Sequence, residues 1–228
     1  MENVKPADLH HLVIIGHPAT DSFNHAIVGA YADSVRRCGQ KVVIHDLYAS
    51  GFDPLLRAEE RPEAANFHLS QDVERELERV RAASVIVLVY PIWFGMPPAI
   101  ITGYIDRVLG SGLTATAIRH NKRHEVLQDK RFVLLTTSGS TLPWLAERGQ
   151  WEGMREAFDS YLATIFSFAS VEHEHLDSIV APLSPDYAAQ CLERIAERAR
   201  LVCSAVLSAA HDQQKIDKFA RWKENPLH

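Results

Sequence analysis

The chain has 228 residues, 46% of them hydrophobic and 23% charged, with a formal net charge of −5. That length and composition suit a globular domain with a sizeable core. The slightly acidic balance offers no electrostatic footprint for nucleic acid or an anionic membrane.

Cys38, Cys191 and Cys203 are widely spaced and outside any C-x-x-C pattern, which argues against a disulfide framework and for a reducing compartment. The opening MENVKPADLHH lacks the apolar centre of a signal peptide. The longest apolar run, Val85–Tyr90, is strand-sized. A cytoplasmic chain without a membrane span is expected.

Leu12–Ile15 is an apolar, branched run that reads as a strand buried on both faces. Ile27, Val28, Tyr31 and Val35 recur at helical spacing between Asn24 and Cys38, and Gly39 supplies the stop. Lys41–Asp46 predicts the second strand, closing a right-handed βαβ unit. Residues 48–70 contain Pro54 and Pro62 without strong periodicity and form a long connection. A charged helix is predicted over Gln71–Ala83, a strand over Ser84–Tyr90 and a helix over Pro97–Leu109. Arg131–Thr137 predicts a strand, Trp151–Phe168 a long helix and Val171–Leu176 a fifth strand. Pro185–Ala210 predicts the last helix, with Ala189, Leu192, Ile195, Ala196 and Ala199 on one face. Strands alternating with helices imply an α/β doubly wound parallel sheet in one domain spanning about residues 10–210. In the tail, 211–228, Ile216, Phe219 and Trp222 recur at three-residue steps; it is expected to pack on its own body, or else to reach over a second copy.

Ligands of such sheets bind beyond the carboxyl ends of the strands, and three strand ends here carry unusual loops. The first, His17-Pro-Ala-Thr-Asp-Ser-Phe-Asn24, runs into a helix N-terminus and offers Thr20, Ser22 and Asn24 as side-chain donors. That suits a phosphate, or equally an ordinary helix cap. The second, Tyr90-Pro-Ile-Trp-Phe-Gly-Met-Pro-Pro98, sets Trp93 and Phe94 after a buried strand, where they can line a slot for a planar polar ring. The third, Thr136-Thr-Ser-Gly-Ser140, combines hydroxyls with a glycine that permits close backbone approach. His173-Glu-His175 could place two imidazoles on one strand face, but no third ligand accompanies them and no metal is expected. His10, His11 and the remaining histidines of the chain's twelve read as surface residues.

The motifs GHPATDSFNHA, YPIWFGMPPAIITGYIDRVL and LLTTSGS, each after a strand and in this order, resemble the flavodoxin-like NAD(P)H:quinone oxidoreductase family, the DT-diaphorase-like flavoproteins. The resemblance covers most of residues 10–205. It implies a five-stranded sheet of order 2-1-3-4-5, a flavin (FAD favoured over FMN), NAD(P)H as co-substrate, ping-pong transfer of a hydride to a quinone, and a homodimer. Carried over by position, His17, Thr20, Ser22, Phe23 and Asn24 hold the phosphate side of the flavin. Pro91, Ile92, Trp93 and Phe94 line its ring, and Thr136, Thr137, Ser138 and Gly139 contact its other polar edge. Trp93, Phe94 and Gly139 are the residues expected against the reacting ring. The chain departs from the family pattern in three places. Trp144 and Trp151 fall in the stretch where DT-diaphorase presents a Tyr and a His. Ala115 and Ala117 fall where that enzyme presents two tyrosines, and the Trp93 loop is one residue shorter. A role as an ancillary subunit of a potassium-efflux antiporter is the alternative reading, and a relative that binds no flavin is a third.

Overall fold

The computed structural model describes the backbone of residues 4–224 and the side chains of residues 4–220. In chain order run β1 (His10–Ile15), α1 (Phe23–Arg37), β2 (Lys41–Asp46), α2 (Gln71–Ala82), β3 (Val85–Pro91), α3 (Ala99–Tyr104), α4 (Ala115–Arg119), β4 (Arg131–Thr137), α5 (Leu142–Glu147), α6 (Gln150–Met154), α7 (Leu162–Phe166), β5 (Ser170–Leu176) and α8 (Pro185–Glu224). The described strands form a parallel sheet of order β2-β1-β3-β4-β5, the flavodoxin-like order expected from the resemblance.

Strand residues alternate between two apolar cores, as the period-2 geometry of a doubly covered sheet requires. Leu12, Ile14, Ile86, Leu88, Phe132 and Leu134 face a layer built from α2, α3, α6 and α7. Val13, Ile15, Val85, Val87, Val133 and Leu135 face α1 and α8. Both central faces are therefore dry, and the polar loops are confined to the strand ends.

Several elements differ from their sequence-based bounds for identifiable reasons. The helix predicted from Pro97 starts at Ala99, with Pro98 at the cap position and in extended backbone, and it ends in a π-helical turn, Ile105–Leu109. The helix predicted over Trp151–Phe168 is continuous from Gln150 to Phe166, but a π-helical segment, Arg155–Tyr161, interrupts its α pattern. A π-helical segment widens the turn and shifts the phase of the apolar stripe without ending the helix, so the run of apolar residues still reads as one helix. Along α8, the buried stripe is Cys191, Ile195, Ala199, Val202, Cys203 and Val206. Ala189 belongs to the exposed side.

α8 also runs through much of the expected tail. His211 Nε2 donates to the Val4 carbonyl at 3.0 Å, tying the helix to the amino-terminal segment. Beyond that point Ile216 and Phe219 are 61% and 57% exposed. The side chain of Trp222 and residues 225–228 lie outside the described residues.

The long connection between β2 and α2 is fastened by one buried side chain. Arg107, in the π turn after α3, donates to both carboxylate oxygens of Glu60, at 2.9 and 2.6 Å, and to Asp72 at 2.8 Å. Its guanidinium also lies over the Phe52 ring, 5.4 Å from the centroid. The Arg of the Asp-Arg-Val motif is thus structural, and it anchors the loop that passes Glu60.

Candidate functional site

The three loops meet at the carboxyl ends of β1, β3 and β4. Asn24, 3% exposed at the start of α1, donates through Nδ2 to Thr137 Oγ1 at 3.1 Å, joining the first loop to the third. The Ile92 amide donates to the Thr137 carbonyl at 2.7 Å, joining the second to the third. The His17 and Trp93 rings lie 5.8 Å apart, joining the first to the second. The sheet register that pairs Pro91 with Thr137 makes these contacts possible.

In the first loop, Ser22 occupies the cap position of α1, yet its hydroxyl makes no cap hydrogen bond. It instead lies 2.8 Å from His25 Nδ1, whose Nε2 lies 3.0 Å from Asp46 Oδ2 at the end of β2. Asp46 Oδ1 accepts from the amides of Tyr48 and Ala49. Burial works against the charged form of Asp46, but the Ala49 amide, His25 and the Tyr48 amide hold its carboxyl below the usual range. Burial pushes the His17 imidazole down. His25 and Asp46 were not singled out from sequence. The one available signal was an imidazole three residues past the helix cap.

In the second loop, Trp93 and Met96 exchange backbone hydrogen bonds at 2.9 and 3.0 Å around a tight turn, with Phe94 at φ 53° and Gly95 at φ 77°. A left-handed Phe is costly, and here it turns the whole ring outward: Phe94 is fully exposed and Trp93 is 40% exposed. Pro91 and Ile92 are buried beneath them. In the third loop, Thr136, Thr137 and Ser138 are buried while Gly139 is exposed. Ile92, Phe94, Gly95, Ser138, Gly139 and Trp144 line part of a cavity of about 510 Å³. Of the expected site residues only Ile92, Phe94, Ser138 and Gly139 line that cavity; the first loop, with exposed Thr20 and half-buried Phe23, does not reach it, nor do Pro91, Trp93, Thr136 and Thr137.

Trp144 and Trp151 part company. Trp144 borders the cavity, with the Arg148 guanidinium 3.9 Å over its ring. Trp151 lies instead against His173 and His175, at centroid distances of 5.1 and 5.0 Å. Those two imidazoles share one face of β5, as their spacing predicts, and both lie within hydrogen-bond distance of Thr136 Oγ1. Among the described residues no group of three or more His, Cys, Asp or Glu side chains is placed to hold a metal ion. The surface reading of the other histidines is wrong for His11, His45 and His124, all buried. His11 sits at the edge of the apolar core, bonded to Tyr31 and Gln40, a polar satisfaction that spacing alone does not reveal.

The described residues contain no helix long and apolar enough to cross a membrane. Comparison with known proteins places the chain among similar sequences and structures. A family described by a flavodoxin-like fold matches residues 10–200. An uncharacterized NAD(P)H oxidoreductase of Haemophilus influenzae is 31% identical over 167 residues, covering 73% of this chain and 82% of that protein. The rat NAD(P)H dehydrogenase [quinone] 1 is 30% identical over 147 residues, 57% of this chain and 53% of the rat protein, so only about half of that relative's length is matched. The structure of an NAD(P)H:quinone oxidoreductase from Methanothermobacter marburgensis superimposes with a TM-score of 0.72 at 26% identity, covering 85% of this chain and 98% of that one.

Proposed function

Since the chain belongs to the flavodoxin-like NAD(P)H:quinone oxidoreductase family, we propose that it is a cytoplasmic flavin enzyme, dimeric and folded as one unit over about residues 10–210, that passes a hydride from NAD(P)H to a quinone in two alternating half-reactions. The observation that carries this reading is the meeting of the three loops at the strand ends, where the first adjoins the other two through Asn24 and His17, and the second and third line one cavity whose walls match the chemistry of a flavin. Its volume falls in the range of small-molecule sites. The exposed Phe94 ring lines it together with Ser138 and Gly139, and half-exposed Trp93 lies next to Phe94, against His17.

The residues present fit the group. The N-terminus of α1 is a ready anion site, its cap hydroxyl is not used by the helix, and His17 and His25 stand beside it. We assign His17, Thr20, Ser22, Phe23 and Asn24 to the phosphate side. Pro91 through Phe94 are assigned to the ring, and Thr137 through Gly139 to its opposite edge, with the fully buried Thr136 behind them, supporting Ser138 through His175 rather than touching the ring. FAD is favoured over FMN on overall likeness to the DT-diaphorase-like enzymes.

A bound flavin supplies the hydride chemistry itself. The chain's share is to orient and to exclude water. Asn24 holds Thr137 in place from the first loop, and the Ile92–Thr137 backbone bond fixes the spacing between the ring-facing loops. Trp144 closes one side of the cavity. Such fixed geometry turns a bimolecular encounter into an oriented one.

The test is the visible spectrum of the purified protein under anaerobic conditions. The expected result is a yellow protein whose flavin bands bleach on NADPH and return on adding menadione. A colourless protein that takes up neither FAD nor FMN overturns the proposal. A flavin-loaded protein with negligible quinone turnover that captures a membrane transporter would transfer support to the ancillary-subunit reading.

A further inference from the structure

β5 is an edge strand, and its alternation sorts two kinds of chemistry onto its two faces. Glu172 and Glu174 meet Arg198 and Arg194 of α8 on one side. His173 and His175 point to the other, beneath Trp151. There they complete a continuous chain of polar atoms. Asp159, in the π-helical segment between α6 and α7, lies 3.0 Å from His173 Nδ1. His173 Nε2 is 2.7 Å from Thr136 Oγ1, which is 2.8 Å from His175 Nδ1. His175 Nε2 is 3.0 Å from Ser138 Oγ, itself 2.7 Å from the Ser140 carbonyl. The side chains of His173 and Asp159 are 5% and 7% exposed, and Thr136 is fully buried. Of the five linked side chains only that of Ser138 belongs to a residue lining the cavity, next to Ser140, whose carbonyl ends the chain.

Matching donors to acceptors allows this chain two arrangements. An ionised Asp159 only accepts, so His173 Nδ1 carries a proton in both. With a second proton on Nε2, His173 donates to Thr136, Thr136 to His175 Nδ1, His175 Nε2 to Ser138, and Ser138 to the Ser140 carbonyl. With His173 Nε2 bare, the middle of the chain reverses. Ser138 then donates to His175 Nε2, His175 Nδ1 to Thr136, and Thr136 to His173, while the Ser140 carbonyl keeps the Ser178 amide. The two differ by one proton, held at the His173 end and released from Ser138 Oγ.

The geometry points to a one-proton relay, resting on the oxidoreductase reading above, in which His173, Thr136, His175 and Ser138 deliver a proton from the Asp159 end of the chain to the wall of the cavity. The balance closes. NAD(P)H, quinone and one proton give NAD(P)⁺ and hydroquinone, the hydride carrying both electrons and one of the two hydrogens. The relay supplies the other hydrogen. On delivery the His173 Nε2–H, Thr136 O–H, His175 Nε2–H and Ser138 O–H bonds break. New O–H and N–H bonds form on Thr136, His175 Nδ1 and Ser138, and the fourth proton passes into the cavity. Water there returns a proton by the reverse path, and nothing in the relay is oxidised or reduced. His173, Thr136 and His175 act through Ser138 and are positioning residues.

Charged groups surround the pair on every side. They are Asp159 with Arg155 behind it, Glu174 and Asp177 on or beside β5, and Arg194 from α8. Tyr90 of β3 is held protonated by burial and by Asp159. Burial, with His173 beside it, holds His175 down at about 4, so it passes a proton on without storing one.

The test combines imidazole ¹⁵N NMR on flavin-stripped protein with kinetics of the loaded enzyme. As the chain passes from the first arrangement to the second with rising pH, the protonated nitrogen of His175 should switch from Nε2 to Nδ1. Thr136→Val should abolish that coupling and lower kcat about 100-fold, within the span of general acid catalysis, with KM for NAD(P)H changed less than threefold. Thr136→Ser should restore both. Should Thr136→Val fail to fold, Asp159→Asn serves: it should lower the pH at which the His175 tautomer switches and move the alkaline limb of kcat by the same amount. A His175 tautomer that ignores His173 in a wild type that turns over overturns the relay alone. So does an undiminished kcat in Thr136→Val. A wild type that takes up no flavin overturns the functional reading, and that outcome is read independently of the tautomers.

Discussion

Phe94 holds a backbone conformation that a bulky residue avoids, and the effect of that strain is to display its ring. At φ 53° and full exposure it gains nothing from packing, so the fold offers no reason for a phenylalanine there. Phe94→Gly removes roughly 1–2 kcal/mol of left-handed strain and adds up to about 1 kcal/mol of unfolded-state entropy. The variant is therefore expected to be as stable as the wild type or slightly more so. If the ring forms one wall of the flavin and acceptor slot, the same change should weaken flavin binding or raise the quinone KM severalfold. A thermal melt beside a flavin titration separates the two effects. Unchanged affinity and KM in a stable variant would remove Phe94 from the site. Ser22 shows the same divergence between local rule and actual use: it stands where a helix cap belongs, but its hydroxyl goes to His25.

At the scale of elements, the connection from β2 to α2 depends on Arg107. Its side chain is fully buried, and that of Glu60 is 1% exposed. Removing one partner of such a pair strands the other in an apolar setting. Arg107→Met is expected to cost about 3–5 kcal/mol and to expose the 48–70 segment to proteolysis before the sheet unfolds. Equal cleavage rates in the two proteins would contradict the anchoring role. The Arg107 bonds, set against burial, and bonds from Ser70 and the Arg57 amide hold Glu60 down at about 2. Its contribution is thus complete above about pH 4.5 and is lost as pH falls toward 2. The strands were legible because β1, β3 and β4 are continuous branched runs between polar loops, and their order was what the family resemblance of the three loop motifs implied. The sequence made the three loops legible because their residues sit at strand ends, where ligands of this architecture gather. It did not reveal why the Asp-Arg-Val motif carries an arginine, because the partner carboxylate Glu60 lies 47 positions away. Nor did it reveal the network around His173 and His175. The spacing showed two imidazoles on one face, but Thr136 and Asp159, which give them meaning, come from a neighbouring strand and a π-helical segment.

Across the whole molecule, buried imidazoles tie the fold to pH. His11 is fully buried and donates through Nε2 to Gln40 Oε1 at 2.8 Å. Gln40 Nε2 in turn donates to the Cys203 carbonyl, so the Tyr31 hydroxyl must donate to His11 Nδ1. That circuit is complete with one proton on the ring and has no place for a second. Burial, then Gln40 in the opposite sense and His10, leave His11 at about 4. Burial and Arg79 leave His45 there too, and burial with His173 leaves His175 at the same level. In the unfolded chain each imidazole returns to about 6.5. Between those values the unfolded state binds more protons than the folded one, so stability rises with pH. The contribution is fully present above pH 6.5 and is lost as pH falls through the folded values near 4. A full shift is worth on the order of 3 kcal/mol per ring, and three rings on separate elements add, because they share no partner. Urea unfolding at pH 7.5, 6.0 and 5.0 is therefore expected to show a midpoint that falls steadily while the slope m stays constant. The decline should begin well above the range in which Glu60 titrates. A midpoint that holds level to pH 5 and drops only below pH 4.5 would assign the acid sensitivity to the Arg107 cluster and remove the histidines from the stability of the fold.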